Sequence, residues 1–197
     1  AVDAIFCPSE AWNETYRYFG FSDEQIFHGL NVVDNSFWSE AGNIQMLNLP
    51  EKYFLTVGRQ ILKKNFLFLL KAYRNYSLKT KNPLSLVLVG NGPKRKDLEI
   101  FVKKHIITNI RFLPFVTQEE LRSIYQSGLC FILPSKHGET WGLVVNEAMA
   151  SGLPVLISDQ AGCASTLVDE GVNGFKFRPD DVGYLEYLLN RVAEMPI

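Results

Sequence analysis

Residues 134–155, PSKHGETWGLVVNEAMASGLPV, decide the fold that this sequence predicts. The apolar run 129–133 precedes them and is typical of a buried strand. A polar loop then leads into a helix expected over 142–151, which Gly152 would end at its C′ position, with a proline two residues later. A second strand is expected over 154–158. Strand, loop, helix and strand in this order indicate one unit of a parallel α/β sheet.

Two carboxylates lie on this unit, Glu139 in the loop and Glu147 in the helix, with seven residues between them. A helix N-terminus attracts phosphate because its first N–H groups lack intrahelical partners, and Gly142 would let such a ligand approach the backbone. A carboxylate only accepts hydrogen bonds, so carboxylates on either side of a phosphate suit the hydroxyl groups of a sugar and of a ribose. The spacing therefore fits a nucleotide sugar, although it fits two ordinary surface carboxylates as well.

Two cations follow the strand that is expected over 53–58. Arg59 stands directly after this strand and Lys64 stands five residues later, before a helix expected over 65–79. At such a turn Arg offers a diphosphate a planar fork of donors, and Lys offers a point charge. By themselves, two solvated loop cations are the simpler interpretation.

The next strand, expected over 84–89, ends in the turn Gly90-Asn91-Gly92-Pro93. This turn lacks the third glycine of a dinucleotide fingerprint because Arg95 occupies that position, so the sequence does not support an NAD site. A tight turn into a helix over 94–104 is the favoured interpretation.

Capping signals mark several other helices. Thr117 and Glu120 predict the capping box of a helix that extends to position 127. Ser9 predicts the N-cap of a helix over 10–19, after a short first strand. An amphipathic helix is expected to close the chain. It would span 181–194, with candidate core positions Tyr184, Leu188 and Val192.

Strands and helices alternate along the whole chain, which indicates an α/β Rossmann-like domain with a mostly parallel sheet flanked by helices. Ligands bind such sheets outside the carboxyl ends of the strands. The loops at Arg59, Gly90, Phe115 and Glu139 each follow a predicted strand, which for Phe115 is 109–113. We therefore expect these loops to gather at one edge of the sheet.

The composition is that of a globular protein of about one domain. The chain has 197 residues and a formal net charge of -1 at pH 7, which gives no sign of a nucleic-acid partner. Cys7, Cys130 and Cys163 are odd in number and form no Cys-x-x-Cys pair, so reduced thiols in the cytoplasm are expected. No apolar run is long enough to cross a membrane.

The stretch 134–155 resembles the Glu-x7-Glu signature of retaining glycosyltransferases of the GT-B type, the family 4-like enzymes also called glycosyl transferases group 1. The resemblance extends over residues 28–195 and implies that the chain is the C-terminal, nucleotide-sugar-binding half of a GT-B fold. It also implies that Glu139 contacts the donor sugar and that Glu147 contacts the ribose. Trp141 stands where the family more often has Phe.

The resemblance assigns further residues to the same site. Val-Gly-Arg, four residues and Lys-Asn match the family's diphosphate clamp, which falls here on Arg59 and Lys64. The turn at Gly90 would lie near the nucleotide, and Phe115 would contact the base beside Pro114, which replaces a family Gly. The catalytic candidates are Glu139, Arg59 and Lys64. The expected ligand-binding residues are Arg59, Lys64, Gly90, Asn91, Phe115, Val116, Glu139, Thr140, Trp141, Gly142, Leu143 and Glu147.

The resemblance further implies a longer protein in which two domains bind the acceptor and the donor separately. Residues 1–40 would be the tail of a missing N-terminal acceptor domain plus a linker, and residues 41–197 would bind the donor. The full-length enzyme would transfer a hexose from a UDP-, GDP- or ADP-sugar to an acceptor hydroxyl, in glycan, polysaccharide or lipid-linked saccharide synthesis. The saccharide acceptor would bind the N-terminal domain, so the present chain alone is expected to be inactive.

No metal is expected, because the sequence contains no Asp-x-Asp and such family members usually bind the diphosphate without one. The expected location is cytoplasmic, and peripheral membrane association of the full-length protein stays open. His137 is expected to be a solvated loop residue rather than a catalytic base.

Three alternative functions remain. They are a nucleotide-sugar-binding or regulatory module without turnover, a GT-B sugar-nucleotide epimerase, and the dinucleotide-binding oxidoreductase that Arg95 disfavours.

Overall fold

The computed structural model describes residues 2–29, 31–42, 49–136 and 138–195. Its strands are β1 (Ile5–Cys7), β2 (Ile26–His28), β3 (Tyr53–Val57), β4 (Ser85–Val89), β5 (Ile110–Leu113), β6 (Cys130–Leu133), β7 (Val155–Ser158) and β8 (Gly174–Phe177). Its α-helices are α1 (Asn13–Tyr18), α2 (Asn35–Ser39), α3 (Phe66–Lys79), α4 (Arg95–Lys104), α5 (Gln118–Ser127), α6 (Leu143–Ala150), α7 (Ala164–Leu167) and α8 (Val182–Glu194). Short 3-10 turns cover Glu10–Trp12, Asp23–Gln25 and Leu62–Lys64.

Six strands form one parallel sheet in the order β5-β4-β3-β6-β7-β8. The chain runs outward from β3 through β4 to β5, returns to the other side of β3 as β6, and continues outward to β8. The boundary between β3 and β6 is therefore the point where the strand order reverses. In open α/β sheets the loops at this boundary diverge and leave a crevice for a ligand. The predicted α/β Rossmann-like class is confirmed.

Helices cover both faces of this sheet, so its central strands β3 and β6 are buried along their whole length. In β3 every residue is buried, and alternate side chains enter different cores: Phe54 packs with α3 and α8, whereas Leu55 packs with α5 and α6. The buried hydroxyl of Thr56 donates to the Ile132 carbonyl at 2.8 Å, so its hydrogen-bonding capacity is used within the core. This continuous burial is what a parallel sheet requires.

The first forty residues form a small unit beside the main sheet. β1 and β2 pair in parallel and present the rings of Phe6 and Phe27 outward, 5.6 Å apart. The following helix α2 is tied to α5, because Arg122 donates to the Phe37 carbonyl at 3.1 Å and pairs with Glu40 at 2.8 Å. The proposed boundary near residue 40 stays a prediction, since packing alone does not divide one domain from another.

Three expectations need correction. The sequence analysis missed β2, which has only three residues. The helix expected over 10–19 is a 3-10 turn followed by α1, although Ser9 does cap it by accepting from the Ala11 N–H at 3.2 Å. Tyr184 is 39% exposed and stacks on Tyr187, because it lies on the outer side of the first turn of α8. The core positions of α8 are Leu185, Leu188, Leu189 and Val192. The connection at 43–48 lies outside the described residues.

We predict that Gly90→Ala destabilises the fold more than Gly152→Ala. Both glycines have positive φ, which costs an L-residue about 1–2 kcal/mol. A Cβ at Gly90 would also meet the Gly58 carbonyl oxygen at 2.3 Å, whereas a Cβ at Gly152 meets nothing within 4 Å. Urea unfolding of both variants measures the difference. Equal losses of unfolding free energy would contradict the tight backbone packing between the loops after β3 and β4.

Candidate functional site

The loops that follow β3 and β6 border the reversal of strand order, where an open α/β sheet leaves a crevice. Backbone bonds hold these loops together, because the Lys136 N–H donates to the Lys63 carbonyl at 2.8 Å. The exposed Lys63 side chain adds a bond to the Gly138 carbonyl at 3.2 Å. The turn Leu62–Lys64, which leads into α3, is thereby fixed against the loop that carries the first carboxylate.

An ion pair lies in this crevice. Lys64 Nζ is 2.5 Å from Glu139 Oε2, and the side chains are 12% and 11% exposed. The fully buried Ser135 hydroxyl donates to the same oxygen at 2.8 Å. The other oxygen, Glu139 Oε1, has no hydrogen-bond partner among the residues that the structure describes. Glu139 is therefore held through one oxygen, and its second oxygen is left without a contact from the described residues.

The loop around Glu139 is fixed from three directions. The Gly162 N–H donates to the Glu139 carbonyl at 2.9 Å. Trp12, from the turn after β1, donates its indole N–H to the Thr140 carbonyl at 2.8 Å. Trp141 is buried and donates to Asn146 Oδ1 of α6 at 2.8 Å. These contacts leave the carboxylate of Glu139 little freedom to move.

Helix α6 begins directly after this loop. Gly142 has φ 107°, a left-handed conformation that suits glycine, and a Cβ there would lie 3.0 Å from Leu133 Cδ2. No side chain caps the helix, so the N–H groups of Leu143 and Val144 are available at its N-terminus. The same Cβ position is 3.8 Å from Glu139 Cγ, which shows how closely the helix start approaches the ion pair. This N-terminus favours an anion beside Glu139.

The second carboxylate, Glu147, lies one turn further along α6 and is partly exposed. Tyr125 of α5 donates its hydroxyl to Glu147 Oε2 at 3.0 Å. Burial raises the pKa of Glu147, and the hydrogen bond from Tyr125 acts in the opposite direction. Glu147 Oε1 has no partner among the described residues, so this carboxylate too is held through one oxygen.

The loops after β3 and β4 are joined beside the crevice. The buried Gln60 donates its side-chain amide to the Gly90 carbonyl at 3.0 Å and its backbone N–H to the Asn91 carbonyl at 2.9 Å. Arg59 stands next to Gln60 and is exposed, and its side chain forms no ion pair with a residue in the described ranges. Arg59 is therefore free to meet an anionic ligand.

Phe115 and Val116 lie at the outer end of this row of loops, because β5 is two strands away from β3. Phe115 is 66% exposed and Val116 is partly buried. The structure therefore gathers the residues after β3, β4 and β6 closely and leaves Phe115 two strands away from β3.

Two other side chains near the loop need comment. Burial raises the pKa of Cys163 to about 12, so this residue is a protonated thiol at neutral pH and not a nucleophile. His137 lies outside the described residues. Within 2–29, 31–42, 49–136 and 138–195, no cluster of three or more His, Cys, Asp or Glu side chains could hold a metal ion. In the same ranges no helix has the length and apolar character to span a membrane.

The sequence analysis missed three residues that support the site. Ser135 stands two residues after the end of β6, and a small polar residue just past an apolar strand was the only local signal for it. Tyr125 occupies an inward position of α5, where a core aromatic residue is the ordinary interpretation. Trp12 lies 128 residues from its acceptor, and no local pattern indicates that contact.

Comparison with known proteins agrees with this geometry. Residues 40–196 match the family model described as Glycosyl transferases group 1, and the chain belongs to this family. Its fold is that of the C-terminal domain of GT-B glycosyltransferases.

Three similar proteins illustrate the relationship. An uncharacterized glycosyltransferase of Methanocaldococcus jannaschii is 29% identical over 190 residues, which are 86% of this chain and 48% of that protein. The structure of HepE from Anabaena in complex with UDP has a TM-score of 0.85 at 21% identity and covers 98% of this chain and 54% of that one. The C-terminal domain of the group 1 protein LpcC from Francisella tularensis gives 0.71 at 22% identity, over 83% of this chain and 89% of that domain. The chain thus spans about half the length of the full-length proteins among these three.

We predict that Lys64→Met destabilises the fold and that adding Glu139→Gln restores part of the loss. The single change leaves a nearly buried carboxylate without its cation, at a cost of about 3 kcal/mol, and the second change removes that charge. A double-mutant cycle by urea unfolding measures the coupling. Lys71→Met is the matched control, because Lys71 lies on the exposed face of α3 and should change stability little. Strictly additive losses would contradict the ion pair.

Proposed function

We propose that this chain is the donor-binding domain of a retaining glycosyltransferase that transfers a hexose from a nucleoside diphosphate sugar to an acceptor hydroxyl. The single observation that supports this most strongly is the ion pair between Lys64 and Glu139 at the reversal of strand order. It sets a cation for a phosphate directly beside a carboxylate for a sugar hydroxyl. In a nucleotide sugar these two groups are joined by the bond that breaks during transfer.

The cation has capacity left for the diphosphate. A lysine ammonium has three donors, and in this structure Lys64 uses one of them on Glu139. The remaining donors, the free guanidinium of Arg59 and the N–H groups at the start of α6 would surround the terminal phosphate. Lys64 and the N–H groups are held in place before the reaction, so they stabilise the charge that develops on the leaving diphosphate, and Arg59 would join them when the ligand binds.

The carboxylates have different roles in this proposal. Glu139 Oε1 accepts from a hydroxyl of the donor sugar, and it orients the sugar rather than attacking it. Glu147 Oε1 accepts from the ribose, one helical turn further from the phosphate. The backbone at Gly90 and Asn91 borders the nucleotide, and Phe115 with Val116 flanks the base at the outer end of the row. The similar HepE structure from Anabaena contains UDP, so UDP is the first nucleotide to test.

The acceptor belongs to a part of the enzyme beyond these residues. Full-length relatives are about twice as long as this chain, and a saccharide acceptor bound by a second domain would close the crevice over the donor. We accordingly propose that residues before 40 belong with that domain and that the isolated chain binds donor with negligible transfer. We also propose a cytoplasmic location, which the three free thiols support, and peripheral membrane association of the full-length protein.

A thermal-shift screen tests the proposed function. UDP, GDP and ADP, their hexose conjugates and NAD are compared at equal concentration, because a bound ligand raises the melting temperature according to its affinity. We expect stabilisation by one nucleoside diphosphate and by its sugar, with no requirement for added metal and no loss in EDTA. Stabilisation by NAD alone would favour the oxidoreductase alternative and contradict the transferase.

A donor-consumption assay of a longer protein that contains this chain separates the remaining alternatives. Consumption that requires an acceptor supports the transferase, and consumption without an acceptor, with an altered sugar configuration, supports an epimerase. Binding without consumption under any condition supports a regulatory module.

We predict that Glu139→Gln and Glu147→Gln change the affinities for the free nucleotide and for the nucleotide sugar differently. Glu147→Gln should weaken the free nucleoside diphosphate and its sugar alike, by about tenfold, because it loses a charge-assisted contact with the ribose. Glu139→Gln should weaken only the intact nucleotide sugar, and it should leave the free nucleotide as strong or stronger, since Lys64 is then released for the phosphate. Isothermal calorimetry measures all four affinities. Identical losses for both variants on both ligands would contradict these assignments.

A further inference from the structure

The hydroxyl group of Tyr125 is buried beneath the site and touches its second carboxylate. Tyr125 has no exposed surface, and its hydroxyl oxygen is 3.0 Å from Glu147 Oε2 and 3.2 Å from the Val144 carbonyl oxygen. Val144 belongs to the first turn of α6, and Glu147 to the second. A single side chain from α5 therefore reaches both the start of α6 and its functional carboxylate.

This hydroxyl has one proton and two acceptors within reach. An ionised carboxylate is the stronger acceptor, and it is also the nearer of the two, so the proton is donated to Glu147. The longer contact to the Val144 carbonyl then contributes little to holding the Tyr125 hydroxyl. Glu147 Oε2 is thereby occupied, and Oε1 is the oxygen that remains for a ligand.

The ring of Tyr125 is held rigidly. It packs edge-on against Trp38 of α2, with centroids 5.6 Å apart, and against Phe131 of β6, with centroids 5.8 Å apart. Arg122, one turn earlier on α5, fixes this helix to α2 through the Phe37 carbonyl and Glu40. The hydroxyl is thus a fixed donor, and it fixes the carboxylate that it contacts.

We propose that Tyr125 is a positioning residue that orients Glu147 for recognition of the ribose hydroxyls of the nucleotide. The inference rests on the proposed function, since it needs a nucleotide with its ribose at Glu147. Without the Tyr125 hydroxyl, Glu147 loses the hydrogen bond that holds its Oε2 and can rotate about its side-chain torsions, so its free oxygen is no longer fixed toward the ligand. The expected consequence is a loss of discrimination between ribose and a sugar that lacks its hydroxyls.

Tyr53 provides a matched control. It is also fully buried in the same core, and its hydroxyl donates to the backbone carbonyl of Ile124 at 2.6 Å. Tyr53→Phe and Tyr125→Phe both remove one buried hydroxyl and one hydrogen bond near α5. Only Tyr125→Phe removes a bond to a carboxylate of the site.

The test measures ribose discrimination by calorimetry. The probe is whichever of UDP, GDP and ADP stabilises the protein most, and its 2′,3′-dideoxy counterpart, and the ratio of the two affinities is compared among variants. We expect Tyr125→Phe to reduce this ratio by about tenfold, the usual effect of losing one hydrogen bond to a charged group, and to do so through the ribonucleotide alone. Tyr53→Phe should leave the ratio unchanged. The double variant Tyr125→Phe/Glu147→Gln should discriminate no less than Glu147→Gln alone.

Each other outcome has a definite meaning. The inference is wrong if the wild-type protein discriminates, Glu147→Gln abolishes the discrimination and Tyr125→Phe preserves it. In that case Tyr125 only fills the core. If the wild-type protein binds none of the three nucleotides, the proposed function fails and the inference fails with it. Should Tyr125→Phe not fold, tyrosine-selective NMR of the wild-type protein decides the matter. The Tyr125 hydroxyl proton should shift with the ribonucleotide and not with the dideoxynucleotide, and equal shifts would overturn the proposal.

Discussion

A nearly buried carboxylate beside an anion-binding helix start is tolerable only with a cation in contact, and the ion pair of Lys64 with Glu139 meets this constraint. In the proposed function the N–H groups of α6 and the exposed Arg59 would attract a diphosphate to the same place, where an unpaired Glu139 would repel it. Lys64 neutralises the carboxylate and still has donors for the phosphate. Because the two residues come from loops after β3 and β6, the pair also joins the two halves of the sheet at the boundary where the strand order reverses.

Both carboxylates are held by hydroxyl groups that no ligand needs to touch. Ser135 donates to Glu139 and Tyr125 donates to Glu147, and in each case the bond is to Oε2 while Oε1 is left open. Such support fixes the functional atoms before a ligand arrives and so reduces the entropy lost on binding. Holding a carboxylate in a partly buried position lowers the stability of its charged form, and the raised pKa of Glu147 reflects this effect of burial. Stability therefore falls as pH rises through the window between the ordinary and the raised pKa of this group, because the unfolded chain releases the proton more readily.

The sequence predicted what depends on local patterns and on strand order. Apolar runs placed β3 to β7 of the main sheet but not β8, and Thr117 with Glu120 forms the predicted capping box at 2.8 and 3.2 Å. The Gly152 N–H closes the end of α6 on the Met149 carbonyl, as expected of a C′ glycine. Parallel strands then bring their loops to one edge, so the meeting of Lys64 and Glu139 across 75 residues followed from topology.

The remainder depended on tertiary packing that no local pattern encodes. Tyr184 has the helical spacing of a core residue, yet the apolar stripe of α8 runs through Leu185 and Leu189 instead. β2 is held by its pairing with β1 rather than by its own sequence of three residues. Tyr125 looked like a core aromatic and is one, and only the position of its hydroxyl connects it with the site.

In the proposed function, the ion pair of Lys64 and Glu139 lies beside the bond between sugar and phosphate in the nucleotide-sugar donor. A crystal structure of this chain with an intact nucleoside diphosphate hexose tests it most directly. The account predicts the terminal phosphate within about 3 Å of Lys64 Nζ and of an N–H group in the first turn of α6, with a sugar hydroxyl at a similar distance from Glu139 Oε1. A diphosphate bound instead at the turn Gly90-Asn91-Gly92, with Lys64 and Glu139 touching no part of the ligand, would contradict it.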